Sequence, residues 1–495
     1  ALGQTCGVDI PLYPVEHHYA VSKPIEGARD DFPCMRDPDG TTYFRGDGNS
    51  ILLGAFQAYT KAWMVDPIPS DFRFQLLEED WAKFDPALQE GLHRIPALRE
   101  AGFERFVNGP ESFTPDNHFI LGETAPLRNL YIAAGFNSAG IACAGGAGRV
   151  LAEWIDGDEA PMDLWSVDPR RFTHAQNDTE YLRGRVTEVL GLHYQMAWPN
   201  REFATCRDLR HSSLHETLAA QGAVFGAKMG LERPLYFATK PSEQSIEYSF
   251  GKQNWFEAHK AEHLATREHV ALFDQSSFSK FLFEGPDALT VLQRVCGAEM
   301  DVDLGKIVYT GMFNQRGGFE SDLSIIRMGE TSFYIITATT QTNHDADWIR
   351  RNMRDSERAT LKDITVEGSV IGVMGPNSRT LLGRVSDADF VEFPFGTTRE
   401  VQLGGATVRA ARITYVGELG WELHVQASDA LRVYEALRAV GGDLGLRNAG
   451  HYAVNSLRLE KGYRAWGSDL SPDDTPLEAG LSFAVGWDKA TPFLG

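Results

Sequence analysis

The chain has 495 residues, more than one hydrophobic core normally organises, so two or three domains are expected. Apolar residues make up 43% of it, an ordinary share for a globular protein, and the formal charge of −21 argues against nucleic acid or an anionic membrane surface as partner. Five cysteines (Cys6, Cys34, Cys143, Cys206 and Cys296) are scattered without a C-x-x-C pair. That excludes a zinc knuckle, argues against a disulfide framework, and favours a reducing compartment, either bacterial cytoplasm or mitochondrial matrix.

No run of about 18 apolar residues occurs, so no membrane-spanning helix is expected. Ala1 to Pro14 lack both a starting Met and the pattern of a signal peptide, and Thr491 to Gly495 stop without a polar tail, so both ends read as cut.

Residues 1–165 mix short strands and helices. Val8 to Ser22 reads as strands around Pro11 and Pro14, Ile51 to Gly54 as a short strand, and Asp80 to Ala101 as a helix broken near Pro96. Asn129 to Ala134 is an apolar run of strand length entering the glycine-rich Gly135-Phe136-Asn137-Ser138-Ala139-Gly140, and a helix of small residues follows from Ile141 to Ile155. Such a turn lets backbone N–H groups approach a phosphate or a flavin edge, though the same residues also serve tight helix–strand packing. No G-x-G-x-x-G motif occurs, so the main pyrophosphate site of a dinucleotide is not expected in this chain. His17-His18-Tyr19 ends the first strand segment and is not a metal-ligand spacing by itself; no metal site is expected.

Residues 166–226 are richer in Arg, His and polar residues and read as a connector. Residues 227–495 show α+β spacing with an internal echo. Phe281 to Pro286 leads into Asp287 to Leu292, and Ile371 to Pro376 into Asn377 to Leu382, each a strand, a glycine turn and Pro at the first helical position. Asn314 to Asp322 reads as a hairpin with Gly317-Gly318 as turn and Asp322 entering the next strand, where it serves either as a general base or as a turn cap. Arg412 to Glu422 reads as two strands around a glycine-bounded turn, with Glu418 or Glu422 able to accept the paired N–H donors of a pterin or to stand in solvent.

Taken in order, these stretches resemble one family, the sarcosine and dimethylglycine dehydrogenases and oxidases. The likeness rests on Gly109 to Asp116 (GPESFTPD), Gly135 to Gly140 (GFNSAG), Asn314 to Asp322, Tyr415 to Glu422, Asn455 to Gly467, and Thr475 to Gly480, and is nearest in wording to sarcosine dehydrogenase. It implies a multidomain α/β and α+β chain. Residues 1–165 would be the substrate-side, C-terminal half of a D-amino-acid-oxidase-type FAD fold. Residues 166–226 would be the central connector, and 227–495 a T-protein-like folate-binding domain. The nucleotide-binding half, which carries the flavin attachment, and the C-terminal barrel would lie outside.

The resemblance also implies site residues. Tyr19, with His17, would face the substrate amine, and Gly135 to Gly140 would close over FAD. Asp322 would be the catalytic carboxylate of the tetrahydrofolate site, with Tyr415 and Glu422 as pterin contacts. Val454-Asn455 stands where T-proteins carry Arg-Asp, which speaks against pure aminomethyl transfer. The expected activity is oxidative N-demethylation of sarcosine or dimethylglycine, with the one-carbon unit passed to tetrahydrofolate and electrons to an electron-transfer flavoprotein or oxygen. The alternatives are a glycine-cleavage aminomethyltransferase and a non-catalytic folate-binding or regulatory protein.

Overall fold

Two long strands, Tyr13–Ser22 and Phe103–Phe113, pair antiparallel from Tyr13 opposite Phe113 to Ser22 opposite Phe103. They frame the first unit of the computed structural model, which describes residues 2–65 and 67–495. Three further strands complete a five-stranded sheet in the order Met35–Asp37, Thr42–Asp47, Ser50–Ala55, Tyr13–Ser22, Phe103–Phe113. The helix Trp81–Arg94 starts where Asp80 accepts a hydrogen bond from the Lys83 amide, and Pro96 separates it from Ala97–Ala101. Its Phe84 and Ala87 pack with Leu53, Leu98 and Phe106, burying one sheet face. The other face stays partly open and bears the site described below. A hairpin of Ile120–Glu123 and Tyr131–Ala134 feeds the helix Gly140–Gly157. This unit comprises residues 1–156 and 166–207.

The second unit, residues 157–165 and 208–495, holds two larger sheets. One runs Thr398–Leu403, Ala406–Ala411, Gly420–Gln426, Gly368–Met374, Val270–Asp274, Leu446–Ala449. Its core surrounds the fully buried Trp421. The other runs Ile307–Phe313, Phe319–Arg327, Ser332–Thr337, Ser279–Glu284, Thr360–Asp363, around Phe281 and Phe283.

The sequence echo proves to be one strand–turn–helix unit in each sheet. Gly285 and Gly375 have φ of +143° and +131°, and a Cβ there would stand 2.2 Å from Arg358 O and 2.5 Å from His269 O, so only glycine fits. Pro286 and Pro376 lie one residue before the N-caps Asp287 and Asn377, not at the first helical position, because the glycine turn needs one more residue before the helix starts. Arg412 to Leu419 is a loop rather than strand, its polar groups spent on turns, and the strand begins only at Gly420. All five cysteines are free, and no helix among the described residues is long and apolar enough to cross a membrane.

Glu262 ties three elements of the second unit together. It lies within the helix Phe256–Glu268, is 3% exposed, and accepts hydrogen bonds from Phe237 N (2.6 Å) and Gly450 N (2.9 Å). Burial pushes its pKa up to about 8, against the opposing pull of those two amides. A raised carboxyl pKa favours folding fully below the ordinary value, and that contribution fades as pH rises through about 8. Glu262→Gln, whose amide offers only one acceptor for two N–H groups, should therefore cost about 1–3 kcal/mol at pH 5. Its deficit should narrow by pH 9, as followed by denaturant unfolding.

Candidate functional site

The open face of the first sheet lines a cavity of about 600 Å³. His17 and Tyr19 point to it from one strand. Glu111 joins them from the neighbouring strand, because Gly109 pairs with His17 and Glu111 is the next residue on that face. His17 Nδ1 stands 2.6 Å from Glu111 Oε2, and its Nε2 stands 3.0 Å from Ala55 O. A carbonyl can only accept, so Nε2 is the donor there, and the Nδ1–Glu111 contact holds one more proton between ring and carboxylate. Ser138 Oγ donates to the same Oε2 at 2.6 Å. Burial raises the Glu111 carboxyl, but hydrogen bonds from His17 and Ser138 and the charge of His17 outweigh it, leaving the pKa lowered.

Aromatic rings wall the rest. Tyr43 lies over Gly54, where a Cβ would be 2.0 Å from its ring, and Phe56 packs 4.8 Å from both His17 and His193. Burial lowers the His193 pKa to about 4, so this ring is neutral, and its Nε2 is buried with no partner among the described residues. The Arg36 guanidinium lies over the Tyr194 ring at 4.4 Å and brings a positive charge to the cavity.

Of the glycine-rich turn, Asn137, Ser138 and Ala139 line the cavity, while Gly135, Phe136 and Gly140 stand behind it. Gly135 (φ +62°) leaves no room for a Cβ, which would meet Leu12 at 2.3 Å, and Phe136 stacks on Phe119. Asn137 is pinned by two hydrogen bonds to Thr114, of 3.0 and 2.9 Å. The turn thus presents backbone and a small hydroxyl beside the N-terminus of an 18-residue helix. On that helix a Cβ at Gly145, Gly146 or Gly148 would meet nothing within 4 Å. These residues fit the edge of a flat, polar ring system such as a flavin.

The remaining expected residues lie in the second unit. Asp322 sits inside the strand Phe319–Arg327, where Tyr309 OH donates to its Oδ2 at 2.8 Å. Burial pushes its pKa up to about 6, with the nearby Asp345 adding to the rise and the Tyr309 hydrogen bond opposing it. Tyr415 is close enough to Asp322 for that charge to help raise its own pKa, after burial. Its hydroxyl donates to Arg464 O at 2.5 Å, and its ring stacks with Tyr463. Glu422, 9% exposed in the other sheet, stands 3.6 Å from His424, whose Nδ1 meets Tyr334 OH at 3.2 Å. Its charge in turn raises the Tyr334 pKa, second to burial. Glu418 takes no part: it pairs with Arg267 at 2.8 Å, because the loop turns it away from the strand that carries Glu422.

A buried polar chain lies behind Asp322. Asp345 accepts from Ser321 Oγ (2.8 Å) and Thr337 Oγ1, His344 Nδ1 stands 3.0 Å from its other oxygen, and His344 Nε2 stands 3.0 Å from Glu320. Sequence reasoning missed Glu111, Arg36, His193 and Tyr309. Glu111 lies within the GPESFTPD stretch, but only the strand register brings it to His17.

Family models match nearly the whole length in three stretches: FAD dependent oxidoreductase over residues 1–154, its central domain over 158–212, and GCVT N-terminal domain over 214–489. The chain belongs to the family in which an FAD dependent oxidoreductase is fused to a T-protein-like GCVT domain. It is 42% identical to 4-methylaminobutanoate oxidase (formaldehyde-forming) of Paenarthrobacter nicotinovorans, over 100% of this chain and 60% of that one. It is 36% identical to mitochondrial sarcosine dehydrogenase of Mus musculus, over 100% and 58%. It is also 37% identical to the pyruvate dehydrogenase phosphatase regulatory subunit of the same animal, over 99% and 56%. The chain thus spans little more than half the length of these relatives.

Proposed function

We propose that this chain carries the substrate side of an oxidative demethylase of N-methyl amino acids, together with a site that receives the released carbon on tetrahydrofolate. The observation that carries the first half is the His17–Glu111–Ser138 cluster facing a cavity that also holds Arg36. A carboxylate substrate would meet the Arg36 guanidinium, and its N-methylated amine would meet the cluster. The amine must lose its proton before oxidation; His17 and Ser138 both bond Glu111 Oε2, so the other oxygen of that carboxylate is the place to receive it. Tyr19, which lines the same cavity, is placed to orient the nitrogen. FAD, held along the turn from Gly135 to Gly140, would supply the hydride acceptor.

Hydride loss from the N-methyl carbon leaves an iminium, which passes its carbon on directly or as formaldehyde. At the second site Asp322 would take the proton from the folate nitrogen as the methylene bridge forms, and Glu422 and Tyr415 would hold the pterin. Sarcosine, dimethylglycine and 4-methylaminobutanoate share the N-methyl group and carboxylate; the electrons would pass to an electron-transfer flavoprotein or oxygen. The regulatory relative favours a second reading, a non-catalytic protein on the same fold. The presence of both Asp322 and the His17–Glu111 pair speaks for catalysis.

A calorimetric titration of the folded chain with folinic acid tests the folate half. Saturable binding that Glu422→Ala weakens about tenfold or more, the loss of a charge-assisted pair, is expected. No binding, or binding indifferent to the substitution, would remove the assignment of Glu422.

A further inference from the structure

Two imidazoles and a carboxylate converge on one point of the second unit, well away in sequence from the residues used so far. His211 Nε2 stands 3.4 Å and His215 Nε2 3.9 Å from the same oxygen, Asp208 Oδ1, and all three donor atoms lie within 4.8 Å of one another. The two rings stack with centroids 4.2 Å apart at 15°, so their Nε2 edges face the same way. Both separations are longer than a hydrogen bond. The Asp208 side chain is 68% exposed and could swing to bond either ring, yet it sits between them. In a tetrahedral zinc centre with bonds of about 2.0–2.1 Å, neighbouring donors stand roughly 3.3 Å apart. The His211 spacing of 3.4 Å lies close to that value, and the His215 spacing of 3.9 Å is longer, so the His215 side would have to draw in.

The frame around the donors is fixed. Asp208 N donates to Glu232 Oε1 at 3.0 Å, and Glu232 N donates to Arg210 O at 2.9 Å, so the strand Leu231–Phe237 grips the loop on both sides of residue 209. Ser212 Oγ donates to Asp274 at 2.6 Å, and Leu214 is 1% exposed in the core. The His215 ring packs at 4.2 Å on Phe225. Closing on an ion requires the stacked rings to fan apart, which the 41% exposed His211 ring has room to do.

We propose that Asp208, His211 and His215 bind one zinc-class divalent cation, leaving the fourth position to water. Two imidazoles select such ions over magnesium or calcium, which prefer all-oxygen shells. The ligands straddle the seam between family-model matches: Asp208 and His211 fall within 158–212, His215 within 214–489.

The test is to strip the purified chain with chelator and titrate it with Zn²⁺ by calorimetry and with Co²⁺ by its visible absorption. One equivalent per chain, the bands of a four-coordinate cobalt, and a melting temperature that rises with zinc are expected. The double variant H211A/H215A should lose all three. The single variant H211A, at a ring 41% exposed, should also lose the cobalt bands while its metal-free form melts close to the metal-free parent, which separates lost ligation from lost folding. No stoichiometric binding by the folded chain would overturn the site. So would a double variant that binds as the parent does, since the metal would then sit on other ligands.

Discussion

Glu111→Gln should lower kcat/KM for oxidation of an N-methyl amino acid by about 100-fold in the full-length protein, an ordinary size for removing a proton-handling group. Its Oε2 is the shared acceptor of His17 Nδ1 and Ser138 Oγ, both at 2.6 Å. An amide retains one oxygen for these bonds but carries no charge to hold a proton on the ring. Ser138→Ala removes only the weaker partner and should cost about tenfold or less. The pKa of Glu111 is lowered in the folded protein, so its contribution to stability is present above the ordinary carboxyl range and fades as pH falls through the folded value. The glutamine variant should accordingly lose stability relative to the parent at pH 7, a deficit that shrinks as pH falls below the ordinary carboxyl range. If Glu111→Gln turned over substrate at the parent's rate, the cluster would be structural only.

Asp322→Asn should divide the two halves of the reaction. Transfer of the one-carbon unit to tetrahydrofolate should fall by about 100-fold or more, whereas amine oxidation should continue at the parent's rate and release formaldehyde. Because burial pushes the Asp322 pKa up to about 6, its basic form dominates above that pH, and transfer should rise through pH 6 and then level. Stability runs the opposite way. A raised pKa is a contribution that is full below about 4 and lost as pH climbs through 6. The asparagine variant should therefore melt above the parent at pH 8, and close to it at pH 4. Tyr309 can donate to the amide oxygen as it donates to Oδ2, so the substitution leaves no buried hydroxyl unpaired.

Much of the fold was legible because local chemistry and tertiary structure agree. Pro96 ends one helix where its ring forbids continuation, and the run before Gly135 forms the strand Tyr131–Ala134, as expected of a short apolar segment. The repeated glycine turns at Gly285 and Gly375 were visible as sequence, and the backbone explains them. The loop from Arg412 to Leu419 was misread because its alternation of apolar and polar residues imitates a strand, whereas Arg412, Thr414 and Tyr415 spend their polar groups on loop carbonyls and turn amides.

Sites assembled across strands were the least legible. His17 and Glu111 are 94 residues apart, and nothing but the pairing register predicts that they meet. Asp322 could be singled out from its hairpin, but its partner Tyr309 sits on the preceding strand and became evident only from Gly311 pairing with Asp322. The same applies to Asp208, His211 and His215. The His211–His215 spacing is one that zinc ligands commonly use, but the approach of Asp208 to both rings depends on the grip of Glu232.

The most direct test of the account follows the carbon itself. The full-length protein would oxidise an amino acid whose N-methyl group carries carbon-13, with and without tetrahydrofolate, under nuclear magnetic resonance. The account predicts the label in the methylene bridge of folate when tetrahydrofolate is present and in free formaldehyde when it is absent. Label in formaldehyde at the same rate in both samples, with none enzymatically delivered to folate, would contradict it.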